Sequence, residues 1–363
     1  MRGRQSGVRD EIYRPFTGRT IRSIRGIYAG VFLLLFHIIF AADACTVLEF
    51  TGEGFSPNVM WLLHAYPLYT MNGSFYLDSK LWPHHCKETG GGWGDFFASD
   101  TEVIDWTPEK EKAGGEVCLR QKAQQVDELL HKLGTGTEEL DGMAVNKLWK
   151  FKPAVQKVIN ATLRELKGLN NPTVAFHIRG GDLSADLQQN KRKPVSPQQY
   201  VDRALEAFGK KAKGGTCVIL GDDHKLMGET AKIAKAKLGC TIYRRPPYFR
   251  KAGHIQSEFN KEPLAKRCAH TVQFLQDVEL MTHADYFVGT FHSNLPKIIQ
   301  TLRFSLLHKD KRTFADASEL KADWYERVRE YFREDAKQRK GKKAMPAAYA
   351  AASKHRSLLT WDQ

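Results

Sequence analysis

The chain has 363 residues, 42% hydrophobic and 26% charged, enough for one large or two medium domains around a real core. Its formal net charge of +14 and pI near 9.4 would suit a polyanion partner, but much of the excess sits at the two ends. No DNA- or RNA-binding module accompanies that charge, which argues against nucleic acid. The six cysteines show no CxxC or Cys/His spacing, which argues against a zinc site.

Residues 1–26 carry a cluster of arginines (Arg2, Arg4, Arg9, Arg14, Arg19, Arg22 and Arg25) and read as a cytoplasmic basic tail. Ile27–Ala42 is apolar except for His37. Its length is marginal for a bilayer core, which takes about 20 residues. With the arginines held inside, residues 27–44 read as a signal anchor of a single-pass type II protein in the Golgi or ER membrane, with a lumenal catalytic part. A cleaved signal, suggested by Ala42-Asp43-Ala44, and a buried core helix are the competing readings. The sequons Asn72-Gly73-Ser74 and Asn160-Ala161-Thr162 are compatible with a lumenal domain. An even cysteine count allows up to three disulfides, although Cys217, inside an apolar run, reads equally as a buried thiol.

Beyond the anchor, Cys45–Phe50 predicts a strand running into the turn Thr51-Gly52-Glu53-Gly54, followed by a helix through Val59, Leu62 and Tyr66. A second strand is expected at Phe75–Leu77 and a helix from about Gln121 to Leu133. Residues 45–165 are thus expected to form an N-terminal α/β domain on the acceptor side. Residues 166–310 read as a second α/β domain that binds a nucleotide sugar. Its expected strands are Thr173–Ile178, Cys217–Leu220, Thr241–Tyr243 and Asp285–Gly289, and its helices are Ser196–Phe208, Lys225–Leu238, Lys266–Thr282 and Leu295–Leu302. Alternating strands and helices imply parallel sheets and a doubly wound fold. Residues 311–336 are expected as a C-terminal helix and 337–363 as a disordered tail.

In open parallel sheets, ligands bind at the carboxyl ends of the strands. Polar residues gather there in this chain. His177-Ile178-Arg179-Gly180-Gly181-Asp182 ends one strand, and its arginine can grip a diphosphate in two-pronged fashion. The two glycines would let the backbone approach a ligand. Asp222 and Asp223 end another strand; a ribose contact is one reading, and capping of the next helix by Asp223 is the other. Thr290-Phe291-His292-Ser293-Asn294 lies between a strand and a helix start, where free N–H groups favour an anion. Asp277 falls among the apolar residues of its helix, where an inward carboxylate needs a partner. The N–H edge of guanine would supply one, unless the acid lies on the polar side near Lys266 or His270.

Taken together, these segments resemble the α1,6-fucosyltransferase family. HIRGGD is similar to that family's H-x-R-R-x-D element, ILGDD to its strand ending in T-D-D, and LQDVELMTHADYFVGTFHSNL to its long D-x-x-x-L-x-x-x-D-x-x-V-x-T-F-S-S element. Gly253-His254 with Phe259-Asn260, and upstream FTGEGFSPNVMWLLHAYPLY, FYLDSKLW and GGGWGDFF, fit the same order over about residues 50–303. The resemblance implies two Rossmann-like halves facing a cleft (GT-B) and inverting transfer of fucose from GDP-fucose to a glycan or glycoprotein acceptor, with neither metal nor cofactor. It places Arg179 and Asp186 in catalysis. Donor binding would fall to His177, Asp182, Gly52, Gly54, Asp222, Asp223, His254, Asp277, Thr290, Phe291, His292, Ser293 and Asn294. Arg179, Ser293 and the amides around it would hold the diphosphate, and His177 with Asp277 would read guanine.

The departures are Gly180, where the family has a second arginine, and Leu183, where it has lysine. Lys191, Arg192, Lys193 or Arg250 could supply the missing charge. Two other readings stand beside this one. The first is a GT-B transferase for another nucleotide sugar, or a degenerate nucleotide-binding member. The second is a membrane-tethered basic scaffold. Only the enzyme readings require Arg179 and Ser293 to face one cleft.

Overall fold

The structure, a computed structural model, describes residues 45–70, 74–88, 91–98, 104–107, 118–123, 138–181, 193–245 and 253–318. The basic tail, the apolar segment Ile27–Ala42, the sequon at Asn72, the C-terminal tail and the site candidates Asp182 and Asp186 lie outside these residues. Among the described residues, no helix is long and apolar enough to cross a membrane.

The protein is mixed α/β and contains two parallel sheets. The first comprises β1 (Thr46–Glu49), β2 (Phe75–Asp78), β3 (Ile104–Asp105) and β4 (Leu119–Lys122) in the order β3-β2-β1-β4. The second comprises β5 (Thr173–Ile178), β6 (Thr216–Gly221), β7 (Thr241–Tyr243), β8 (Tyr286–Gly289) and β9 (Phe314–Asp316) in the order β7-β6-β5-β8-β9. Parallel strands covered on both faces read as unbroken apolar runs, and every residue of β5 is buried. Both orders reverse beside the first strand of their sheet, between β1 and β4 and between β5 and β8. Such a reversal opens a crevice beyond the carboxyl ends of the strands.

Helix α1 (Phe55–Thr70) follows β1, and α2 (Trp93–Phe96) is a single turn. Next come α3 (Glu138–Leu148) and α4 (Pro153–Lys167), the latter with proline at its start and Val155, Ile159, Thr162 and Leu166 buried along one side. Helix α5 (Pro197–Phe208) opens with a capping box between Ser196 and Gln199. Asp223 caps α6 (His224–Leu238) by accepting the Leu226 amide at 2.9 Å. The short α7 (Gln256–Phe259) precedes α8 (Leu264–His283), and α9 (Asn294–Thr301) follows β8. Helix α9 and the π-helical turn Leu302–Leu306 leave the second sheet and pack against α1 and α3 of the first half.

Two expectations are corrected. Residues 119–122, around the start expected for the Gln121–Leu133 helix, form strand β4; positions 124–133 lie outside the described residues. The segment expected as a C-terminal helix opens with a 3-10 turn, Lys311–Thr313, and then β9, whose backbone pairs with β8. The sheet edge beside β8 offers unpaired backbone groups, and even three residues satisfy them.

All six cysteines are paired, as Cys45–Cys118, Cys86–Cys268 and Cys217–Cys240. Cys217 is therefore not a free thiol: it lies in β6 next to Cys240, which precedes β7. Cys86–Cys268 joins the first half to α8, reinforced by Arg267 donating to the Pro83 carbonyl at 2.9 Å. The carboxyl end of α8 is closed by Arg303, which is fully buried. Its guanidinium donates to the carbonyls of Met281, Thr282, Ala284, Asp285 and Thr313 at 2.7–3.2 Å. Burial pushes its pKa down to about 9, against the pull of Asp285. A cation at this point answers the orphan carbonyls of a helix end.

Candidate active site

A cavity of about 450 Å³ lies beyond the carboxyl ends of both sheets. Its walls come from the turn after β1 (Glu53 and Gly54), the tip of β5 (His177 and Arg179), the tip of β6 (Asp222), His254, one face of α8 and the start of α9. The volume is in the range of small-molecule sites.

Asp222 organises the second wall. It is buried and pairs with Arg179, and it accepts the Gly180 amide at 2.7 Å and the His254 amide at 3.2 Å. Burial pushes its carboxyl up, but Arg179, the Gly180 amide, His177 and the His254 amide outweigh burial and hold it below the ordinary carboxylate value. A planar guanidinium carries five N–H donors, so one edge can be held by a carboxylate while another meets a phosphate. His177 is driven down to about 4, chiefly by burial, with Asp222 opposing and Arg179 adding to the fall. At neutral pH it is an uncharged imidazole.

Arg179 and Ser293 face this one cavity, with His292 and Asn294 beside them. Ser293 is the N-cap residue of α9, and its hydroxyl makes no capping bond. The amides of a helix start and that hydroxyl therefore stand beside a guanidinium, at the ends of the adjacent strands β8 and β5, an arrangement suited to an anion.

Gly54, His254 and Asp277 line the cavity as well. Asp277 is neither on the polar side of its helix nor paired with Lys266 or His270. It is buried and meets Arg245 at 3.4 Å, and Arg245 is itself anchored on Gln276 at 3.0 Å. Of the described candidates, Asp223, Thr290, Phe291 and Gly52 do not line the cavity. Asp223 is the α6 cap. Thr290 is buried, accepting the His292 amide at 3.3 Å, while Phe291 stacks on Phe314 at 5.3 Å. Gly52 lies in the β1–α1 turn, where its carbonyl accepts from Asn260 at 3.0 Å. Asn58, fully buried, holds that turn by donating to the Glu53 and Gly54 carbonyls and accepting from the Thr51 amide.

The two glycines after Arg179 act differently from expectation. A Cβ on Gly180 would stand 2.7 Å from the Asp223 side chain, so a second arginine has no room there. Gly181 has φ +59, and a Cβ on it would lie 2.4 Å from the His254 carbonyl oxygen. Gly181 makes its close backbone approach to the Gly253–His254 segment, whose two amides donate to Asp222 at 3.1 and 3.2 Å.

Sequence reasoning missed Glu53, His84, Gln256, Phe259, His270 and Phe274 as cavity walls. On α8 the signal was available, since His270, Phe274, Asp277 and Met281 recur at helical spacing on one face. Among the described residues no cluster of His, Cys, Asp or Glu could hold a metal ion.

No protein-family model matches the chain, and no curated protein matches it. Among solved structures it is similar to the fucosyltransferase NodZ from Bradyrhizobium, at 11% identity and TM-score 0.45 over 72% of this chain and 92% of that one. It is also similar to POFUT1 in complex with GDP, at 12% identity and TM-score 0.43 over 75% and 99% of the two chains. A third is an Arabidopsis thaliana FUT1 mutant in complex with GDP, at 10% identity and TM-score 0.43 over 80% and 78%. At these identities and scores the likeness alone decides nothing about activity, and the functional reading rests on the cleft.

Proposed function

We propose that the protein is a GT-B glycosyltransferase that takes fucose from GDP-fucose, with inversion and without a metal, and passes it to a glycan or glycoprotein. The observation that carries this reading is the cavity shared by Arg179 at the tip of β5 and Ser293 at the start of α9. A guanidinium and a helix start, fixed before the reaction, stabilise a departing diphosphate in the way a bound cation would.

In this scheme Asp222 orients Arg179. Asp277, kept in place by Arg245, accepts the N–H donors of guanine, and His177 contributes a neutral ring beside it. A general base must take the acceptor's proton. Among the described residues, the carboxylates lining the cavity are Asp222 and Asp277, each paired with an arginine, and Glu53 on the first-half wall. Our candidates for that base are Asp186, from the resemblance, and Glu53, which stands on the first-half wall of the cavity. We also place the catalytic part in an oxidising lumen, behind an anchor at Ile27–Ala42. Three disulfides and no free cysteine support the compartment.

A second reading, binding of nucleotide without turnover, is favoured by one observation: the packing of Gly180 on Asp223 excludes a second arginine. Titration of the purified protein with GDP, GDP-fucose, GDP-mannose and UDP, with and without EDTA, tests the donor. Preference for guanine that survives EDTA, together with release of fucose from GDP-fucose, is expected. Preference for UDP, or loss of binding with chelator, overturns the assignment, and binding without release selects the second reading.

A further inference from the structure

We propose that Asn160, on the outer face of α4, is an N-glycosylation site whose oligosaccharide is attached before the chain folds. This rests on the lumenal placement given above and is independent of the donor reading.

The sequon Asn160-Ala161-Thr162 lies inside α4, not on a loop. That helix is amphipathic. Val155, Ile159, Thr162 and Leu166 are buried, whereas Lys157, Asn160 and Arg164 are exposed on the other side at helical spacing. The Asn160 side-chain oxygen accepts from Gln156 at 2.9 Å, one turn earlier on the same exposed surface. The nitrogen that takes a glycan is not used in that bond. No residue of α4 lines the cleft, so a bulky oligosaccharide at Asn160 leaves the cleft open. In the transfer, the Asn160 side-chain nitrogen loses a proton and bonds to the anomeric carbon of an oligosaccharide carried on a lipid diphosphate. The bond from that carbon to the diphosphate oxygen breaks, and the lipid diphosphate leaves.

The two ends of the sequon lie in opposite environments, and this sets the order of events. Thr162 is 1% exposed, and its hydroxyl accepts the Gln276 side-chain amide at 2.7 Å. Gln276 in turn accepts from Arg245 at 3.0 Å, so the hydroxyl is enclosed between α4 and α8. A transferase that glycosylates asparagine reads the hydroxyl residue of the sequon as well as the asparagine. Positions two apart on a helix point to different sides, so folded α4 cannot present both. Gln276 is 114 positions beyond Thr162, so the partner that hides the hydroxyl has not been made when Asn160 emerges. A helix of 15 residues is marginal by itself and takes its stability from packing. Before α8 arrives, the sequon is therefore open to the transferase; after α4 docks, it is closed.

The test is cell-free translation of the full chain with microsomes from the endoplasmic reticulum, followed by an amidase that removes N-glycans and converts the glycosylated asparagine to aspartate. Mass mapping is expected to find that mark at Asn160. Asn160→Gln and Thr162→Val should each lose one amidase-sensitive gel shift, and Thr162→Ser should keep it; none of these readouts requires the variant to fold. For the timing, unglycosylated protein made in bacteria is mixed with solubilised transferase and a lipid-linked oligosaccharide. With its three disulfides closed it should stay unmodified, and after reduction and alkylation it should be modified at Asn160. Equal modification of both forms overturns the timing. An unmarked Asn160 in chains sealed inside microsomes beyond the reach of protease, or in the reduced chain, overturns the site. Chains that remain outside, open to the protease, overturn the lumenal placement itself.

Discussion

Asp222→Asn isolates the group that organises the second wall of the cleft. The substitution keeps the side-chain shape but removes the charge that Arg179 pairs with and one of the acceptors used by the Gly180 and His254 amides. Removing one partner of a buried pair costs about 3–5 kcal/mol, because the other charge stays behind. Side-chain exposures of 19% and 11% for Arg179 and Asp222 bring the expectation down to roughly 2–3 kcal/mol. For a chain of this size that is a fall in Tm of about 3–5 °C. Thermal unfolding with and without GDP is the assay. A bound diphosphate supplies the anion that Arg179 has lost, so saturating GDP should raise the Tm of the variant by more than it raises that of the parent. A variant that unfolds with the parent and gains no more from GDP would refute the claim that Asp222 and a diphosphate share Arg179.

Other expectations concern the frame around the cleft. Arg303→Met takes the guanidinium from five carbonyls at the end of α8 and just before β9, of which Ala284 keeps Lys309 at 2.8 Å, and should cost about 4 kcal/mol or more in urea unfolding. A loss under about 1 kcal/mol would show that water replaces the guanidinium. The Cys86→Ser/Cys268→Ser variant opens a link spanning 182 residues and should lose about 3–5 kcal/mol, with weaker GDP binding because α8 forms a cleft wall. Unchanged stability and binding would remove that link from the account. His177 has a folded pKa of about 4 against 6.5 unfolded, so its stabilising contribution is complete above pH 6.5 and is lost as pH falls toward 4. The parent should therefore lose up to ~3 kcal/mol more than His177→Gln over that interval. Parallel pH profiles for the two proteins would contradict it.

The second sheet was legible because its strands are buried on both faces. Runs such as Thr173–Ile178 need no alternation and end at polar residues that mark the cleft. β4 was not, because its residues Leu119, Arg120 and Lys122 are exposed and carry no apolar signature. β9 is only three residues, set by pairing with β8 and not by its own preference. Among the site residues, those at strand tips could be placed from sequence. His84 and Phe259 could not, since one sits in an irregular segment and the other ends the single-turn helix α7, and both reach the cleft only through tertiary packing. Gly180 read as a missing cation, and its packing against Asp223, some 40 positions away, has no sequence signal.

The central claim is that Arg179 and the start of α9 jointly hold a guanosine diphosphate. Its most direct test is GDP affinity in Arg179→Ala and Ser293→Ala, with folding checked by their melting curves. A fall of ~100-fold or more for the first and about tenfold for the second is predicted. GDP binding that survives both substitutions unchanged would contradict the account.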